Sequence, residues 1–151
     1  MKLNTIGSSI LSLLAAATLA ATATPVRAAD PPFSNGPVWS VTQVKIKDGR
    51  FDDYVKWLAS VWKPQEQALQ KGGYIIGFKV LNTVDARTGD PDLLLCEEYK
   101  DMAAFDVPVA KMYAFMAKQY GSLAKANQGE IARGSIRTIM GNALYREIEL
   151  K

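Results

Sequence analysis

Between residues 38 and 47 apolar side chains fall on both parities: Val38, Val44 and Ile46 on one, Trp39 and Val41 on the other. That pattern predicts a strand covered on both faces for much of its length. Asp48-Gly49 closes it, with Asp48 the expected N-cap of a helix. Phe51, Tyr54, Val55, Leu58, Val61 and Trp62 then recur at intervals of three and four, an amphipathic stripe that leaves Trp57 beside the polar face. Pro64 lacks an amide donor and crowds the turn before it, so it should kink or restart the helix. The second segment runs to Lys71, and Gly72-Gly73 stops it.

Residues 74–81 and 92–99 read as two further strands. The polar turn between them, 82–91, carries Gly89 and Pro91, so the pair should be antiparallel. Asp101 is positioned to cap a second helical region, which Pro108 interrupts early. From Val109 its stripe is Met112, Tyr113, Met116, Tyr120 and Leu123, with Phe115 off it, and Asn127-Gln128-Gly129 ends it. The last strand spans 135–150, bent or bulged at Gly141-Asn142. The order is β-α-β-β-α-β. A faint echo between the Lys47-Asp48 and Lys100-Asp101 junctions falls where a split βαβ repeat would put it.

The amino terminus follows a different pattern. Lys2 precedes an Ala- and Leu-rich apolar run from Ile10 to about Ala21, and Val26 and Ala28 stand at the −3 and −1 positions of a cleavage site. The run is shorter than a membrane span requires. Residues 1–28 are therefore expected to be a signal peptide, residues 29–37 a flexible lead-in, and 38–151 a single domain. The expected location is periplasmic or secreted, without membrane attachment after signal removal.

Composition then removes whole classes of chemistry. Of 151 residues none is histidine and one is cysteine, Cys96. Ser-His-Asp and Cys-His nucleophile systems, His-ligated haem, His-containing zinc sites and internal disulfides are excluded. No cofactor or metal is expected. Removal of Lys2 and Arg27 would leave 16 basic residues against 15 acidic ones, scattered rather than clustered, so no nucleic-acid partner is expected. Cys96, beside Leu93-Leu94-Leu95, reads as a small buried hydrophobe.

The Lys-Asp-Gly-Arg-Phe junction (47–51), the aromatic helix 51–62 and the Glu97-Glu98-Tyr99-Lys100-Asp101 passage carry a resemblance. Over roughly residues 38–150 the chain resembles the dimeric α/β-barrel superfamily, similar to antibiotic-biosynthesis monooxygenases, EthD, NIPSNAP and stress-responsive barrel proteins. The resemblance implies an α+β fold: a ferredoxin-like βαββαβ chain, with a four-stranded antiparallel sheet and two helices on one face. It also implies a homodimer in which two sheets cover each other, the arrangement that two-faced apolar strands call for. No catalytic motif of those families is matched.

The candidate residues come from the pattern itself. Tyr54, Trp62, Tyr113, Met116 and Tyr120 lie on stripes facing the sheet, where they could line an aromatic ligand pocket or simply fill the core. Glu97 and Glu98 point to opposite faces, so one of them tends inward and needs a partner, for which Lys79 and Arg137 are the candidates. An inward carboxylate could serve as a base, with Arg137 holding an anion, or form a structural ion pair. Three readings stay open: a module binding a small apolar or aromatic ligand, preferred here; a cofactor-free monooxygenase or isomerase acting on an aromatic or carbonyl compound; and a structural or interaction protein without ligand.

Overall fold

The structure, a computed structural model, describes residues 30–151; the expected signal peptide, 1–28, lies outside the described residues. Strand β1 (Phe33–Ile46) leads into helix α1 (Phe51–Trp57), a π turn (Leu58–Trp62) and α2 (Lys63–Lys71). Strands β2 (Gly77–Asn82) and β3 (Leu93–Tyr99) follow. A 3-10 turn (Met102–Phe105), helices α3 (Val109–Tyr120) and α4 (Leu123–Arg133) and strand β4 (Arg137–Leu150) complete the chain. The sheet order is β2-β3-β1-β4, all antiparallel. That topology, with the helices packed on one face, is the ferredoxin-like βαββαβ fold.

Cross-strand register assigns the two faces. Val44 pairs with Leu93, Thr42 with Leu95, Ser40 with Glu97 and Val38 with Tyr99, and these rows lie under the helices. The buried core joins Val44, Leu93 and Leu95 to Tyr54, Leu58 and Trp62. Burying a side chain such as Leu58 contributes about 2 kcal/mol. Trp39, Val41, Leu94 and Cys96 project from the opposite, open face, where the Lys79 ammonium sits 3.9 Å over the Trp39 ring. Cys96 is buried between its neighbours there, and burial pushes its thiol pKa up.

Several boundaries differ from expectation for identifiable reasons. β1 begins at Phe33, so residues 33–37 of the expected lead-in belong to the strand, with Phe33 opposite Leu150, Ser34 opposite Glu149 and Asn35 opposite Ile148. Pro37 lacks an amide donor, and the ladder bulges there between Asn35 and Val38. A second bulge falls at Met140, beside Gly141, close to the expected bend. Asp48 does not cap α1. Gly49, at φ +73°, turns the chain, and the N-cap is Arg50, which makes no side-chain cap but pairs with Asp53 at 2.9 Å.

The two helical regions changed most. Between α1 and α2 the chain widens into a π turn, in which the Lys63 amide bonds the Leu58 carbonyl five residues back, and Pro64 follows within the first turn of α2. In the second region Gly121, at φ +81°, ends α3, and Ser122 caps a new helix by accepting from the Lys125 amide at 3.1 Å. One expected helix is therefore two. Leu123 belongs to the second and no longer sets the phase of the first. Asn127-Gln128-Gly129 lies within α4 rather than ending it.

Candidate functional site

Tyr54, Leu58, Trp62 and Glu66 stand four residues apart, and all four are buried. An ideal α-helix turns 100° per residue, so a four-residue spacing drifts about 40° per step and would carry Glu66 away from the sheet. The wider π turn takes up that drift. Glu66, 4% exposed, is thereby set on the sheet side of α2, between Trp62 and Leu69 in sequence. Such π turns recur at functional sites in proteins generally.

On the sheet below, Glu97 is on the helix-covered face, paired with Ser40 on one side and Phe78 on the other. Its Oε2 accepts a hydrogen bond from the Tyr99 hydroxyl at 2.5 Å. Burial, reinforced by the nearby charge of Glu97, pushes the Glu66 pKa up to about 8. Burial and the bond to Glu97 likewise raise that of Tyr99. At neutral pH Glu66 thus keeps its proton, and its Oε2 has no hydrogen-bond partner. Among the described residues neither glutamate forms an ion pair.

Tyr99 connects this acidic pair to a cavity of about 160 Å³ between α2, α3 and the end of β3. Its rings come in two pairs: Tyr99 with Phe105, centroids 4.4 Å apart, and Tyr74 with Phe115, 5.8 Å apart. Local geometry holds each. Gly73, at φ +74°, turns the chain so that the Tyr74 amide bonds the Leu69 carbonyl at 3.0 Å, and the Ile76 amide bonds the Glu98 carbonyl at 2.7 Å. Asp101 caps the 3-10 turn that carries Phe105, accepting from the Ala103 amide at 2.9 Å. Leu69, Ile75 and Met112 complete an apolar lining, and Lys111, exposed on α3, supplies its one cation. The volume is that of a cavity admitting a single aromatic ring, since an engineered apolar cavity near 150 Å³ binds benzene.

The residues singled out in the sequence are dispersed. Glu97 is in the acidic pair. Glu98 is on the open face, opposite Trp39 and Gly77, its Oε2 filling the space a Gly77 side chain would need. Neither expected partner reaches the inward glutamate: Lys79 is over Trp39 on the other face, and Arg137 belongs to a second cluster. Arg137, 7% exposed rather than solvated, donates from Nη2 to Glu130 Oε1 at 2.8 Å. Arg133 pairs with the other oxygen of the same carboxylate and lies 4.5 Å over Trp57. Tyr54 is fully buried and stacked on Trp57 at 5.5 Å, so Trp57, expected beside the polar face, is part of the core margin. Trp62 packs edge-on against Phe78. On α3, Tyr113 is 52% exposed, Met116 is half-buried, and the half-buried Tyr120 donates to Gln65 Oε1 at 3.0 Å. Phe115, off the expected stripe, is the α3 ring that faces the cavity. Glu66, Tyr74, Tyr99 and Phe105 were not marked by pattern either. The four-residue run ending at Glu66 was the available signal.

No family model matches this chain, and no curated protein does. Among solved structures it is similar to HapK from Hahella chejuensis, at 14% identity and a TM-score of 0.48, covering 73% of this chain and 91% of that one. It is also similar to a dimeric ferredoxin-like protein from an uncultured marine organism, at 9% identity and a TM-score of 0.46, covering 78% and 90%.

Proposed function

We propose that this is an exported, homodimeric ferredoxin-like protein that binds a small apolar or aromatic molecule between its helices and sheet. The observation that carries the reading is the 160 Å³ cavity, walled by two aromatic pairs, with the Tyr99 hydroxyl tied to the half-buried Glu97. Such a combination of apolar walls and few polar groups is typical of ligand pockets. Export rests on the amino-terminal pattern of residues 1–28. Dimerisation rests on the open sheet face, whose Trp39, Leu81 and Leu94 leave apolar surface for a second copy.

The test is a thermal-shift and calorimetric screen of one-ring compounds such as toluene, phenol and indole against the protein, with light scattering for its oligomeric state. The expected result is saturable binding of at least one compound, weakened at least about tenfold by Phe115→Trp, which fills the cavity, and a mass of two chains. Binding unchanged by Phe115→Trp would remove the cavity from the reading, and a monomer at micromolar concentration would remove the dimer.

One observation favours a second reading. A buried glutamic acid whose proton is held to about pH 8, beside a second glutamate, suits general acid–base catalysis. Turnover of a bound compound that is abolished by Glu66→Gln with binding retained would make the protein an enzyme.

A further inference from the structure

We propose that the cavity selects a small organic ammonium ion, held by its four rings and by the acid pair behind Tyr99. This rests on the reading of the cavity as a ligand site and names the chemistry of its occupant. Aromatic faces carry negative potential, and a cage of rings is how proteins recognise alkylated ammonium groups. Here Tyr74, Phe115, Tyr99 and Phe105 line one space small enough for a single such group.

The electrostatics point the same way. Glu66 is 4% exposed, its Oε2 is unpartnered, and it stands beside Glu97 without a counter-ion among the described residues. A buried glutamic acid beside a half-buried glutamate, with no cation at either, is costly as a structural element and attractive to a cationic guest. Tyr99 transmits this field: its hydroxyl proton is committed to Glu97, so what it offers the cavity is its ring face and oxygen lone pairs rather than a donor. Lys111 is on the cavity rim, and Lys71 and Lys118 border the adjoining groove past Tyr74 and Phe115; all three are exposed, so solvent and salt screen their opposition to a cation.

Choline and its neutral carbon isostere, 3,3-dimethyl-1-butanol, have the same shape and differ in charge, so a calorimetric comparison at pH 7.5 isolates the inference. Choline should bind about tenfold more tightly than the isostere, the factor expected for a partly desolvated cation–π site. Glu97→Gln should reduce that preference to about threefold or less, and Lys111→Met should strengthen choline binding about twofold. Equal affinity for the two probes, or weaker choline binding in Lys111→Met, would overturn the ammonium assignment. If one-ring neutral compounds bind in the cavity and choline does not, the assignment falls and the ligand-binding reading survives. If nothing binds, both fall.

Discussion

Two polar clusters lie at the helix–sheet boundary, each around one buried side chain, Arg137 or Glu66, and they are built on opposite principles. At one, α4 and the start of β4 bring Arg133 and Arg137 to the two oxygens of Glu130, with the guanidiniums over Trp57 and near Tyr54. At the other, α2 and β3 bring Glu66 and Glu97 together with only a phenol between them and the cavity. In the first cluster burial pushes the Glu130 pKa upward, but hydrogen bonds from Arg137 and Arg133 outweigh it and hold the carboxyl below its ordinary range. In the second, burial and a like charge act in the same direction. The basic cluster has the form of a structural clamp, since each guanidinium is paired with an oxygen of the shared carboxylate, although two cations against one anion leave it net positive. The acidic cluster leaves a demand unmet, and that difference is the reason to look for a ligand at one and not at the other.

The comparison breaks most sharply at Arg137. Its guanidinium is almost wholly buried and lies 5.8 Å from the centre of the Tyr54 ring. Its partner Glu130 is 56% exposed, so solvent screens the pair and the loss falls below the about 3–5 kcal/mol of a fully buried one. Arg137→Ala should therefore lower the urea unfolding free energy by about 2 kcal/mol at fixed protein concentration. A loss below about 1 kcal/mol would mean that the clamp is not structural.

The pH dependence of stability should separate the clusters by sign. Glu66 has a folded pKa of about 8, above its ordinary 4.5, so the folded state binds its proton more tightly than the unfolded chain does. Its effect is absent below about pH 4.5, and stability then falls through the window from 4.5 to 8, by up to about 1 kcal/mol per pH unit. Glu130 has a folded pKa below 4.5, so its contribution is present above that value and is lost as pH falls. Glu66→Gln should flatten the slope between pH 5 and 8 and leave the acid limb unchanged. An unaltered slope in that variant would show that Glu66 is not the titrating group.

How far these clusters could be read from the sequence follows from what each depends on. The βαββαβ order, the two-sided strand β1 and the antiparallel pair β2–β3 depend on local alternation and turn residues, which are written directly in the chain. Val38, Val44 and Ile46 do share the face opposite Trp39 and Val41, as their parity requires. Helix phase is more fragile. The π turn rotates everything after Trp62, which brings Glu66 to the sheet although an ideal helix would turn it away, and the break at Gly121 removes Leu123 as the anchor of the α3 stripe. The partners of Glu97 and Arg137 were beyond reach for another reason. Adjacent strands say which face a residue occupies, whereas Glu66 and Glu130 arrive from helices whose rotation alternation does not encode.

The smallest expected effect tests whether the basic cluster works through charge alone or through the shape of its cations. Arg133 is largely buried, spans Glu130 and Trp57, and has an Nε without a partner. Lysine in its place keeps the positive charge and can still reach the carboxylate, but it lacks the planar fork and the stacking face that arginine presents to an indole. Arg133→Lys should therefore leave Glu130 ionised and the acid limb of the pH profile in place, while costing about 1 kcal/mol of stability from the lost cation–π and packing terms. Trp57 offers a local readout, because withdrawing the guanidinium from its face should change its fluorescence, and Trp57→Phe would identify that signal against Trp39 and Trp62. A cost as large as that of Arg137→Ala would mean that the two arginines are equivalent members of the clamp. A cost near zero, with unchanged fluorescence, would mean that charge compensation by Arg137 suffices and that Arg133 is a rim residue.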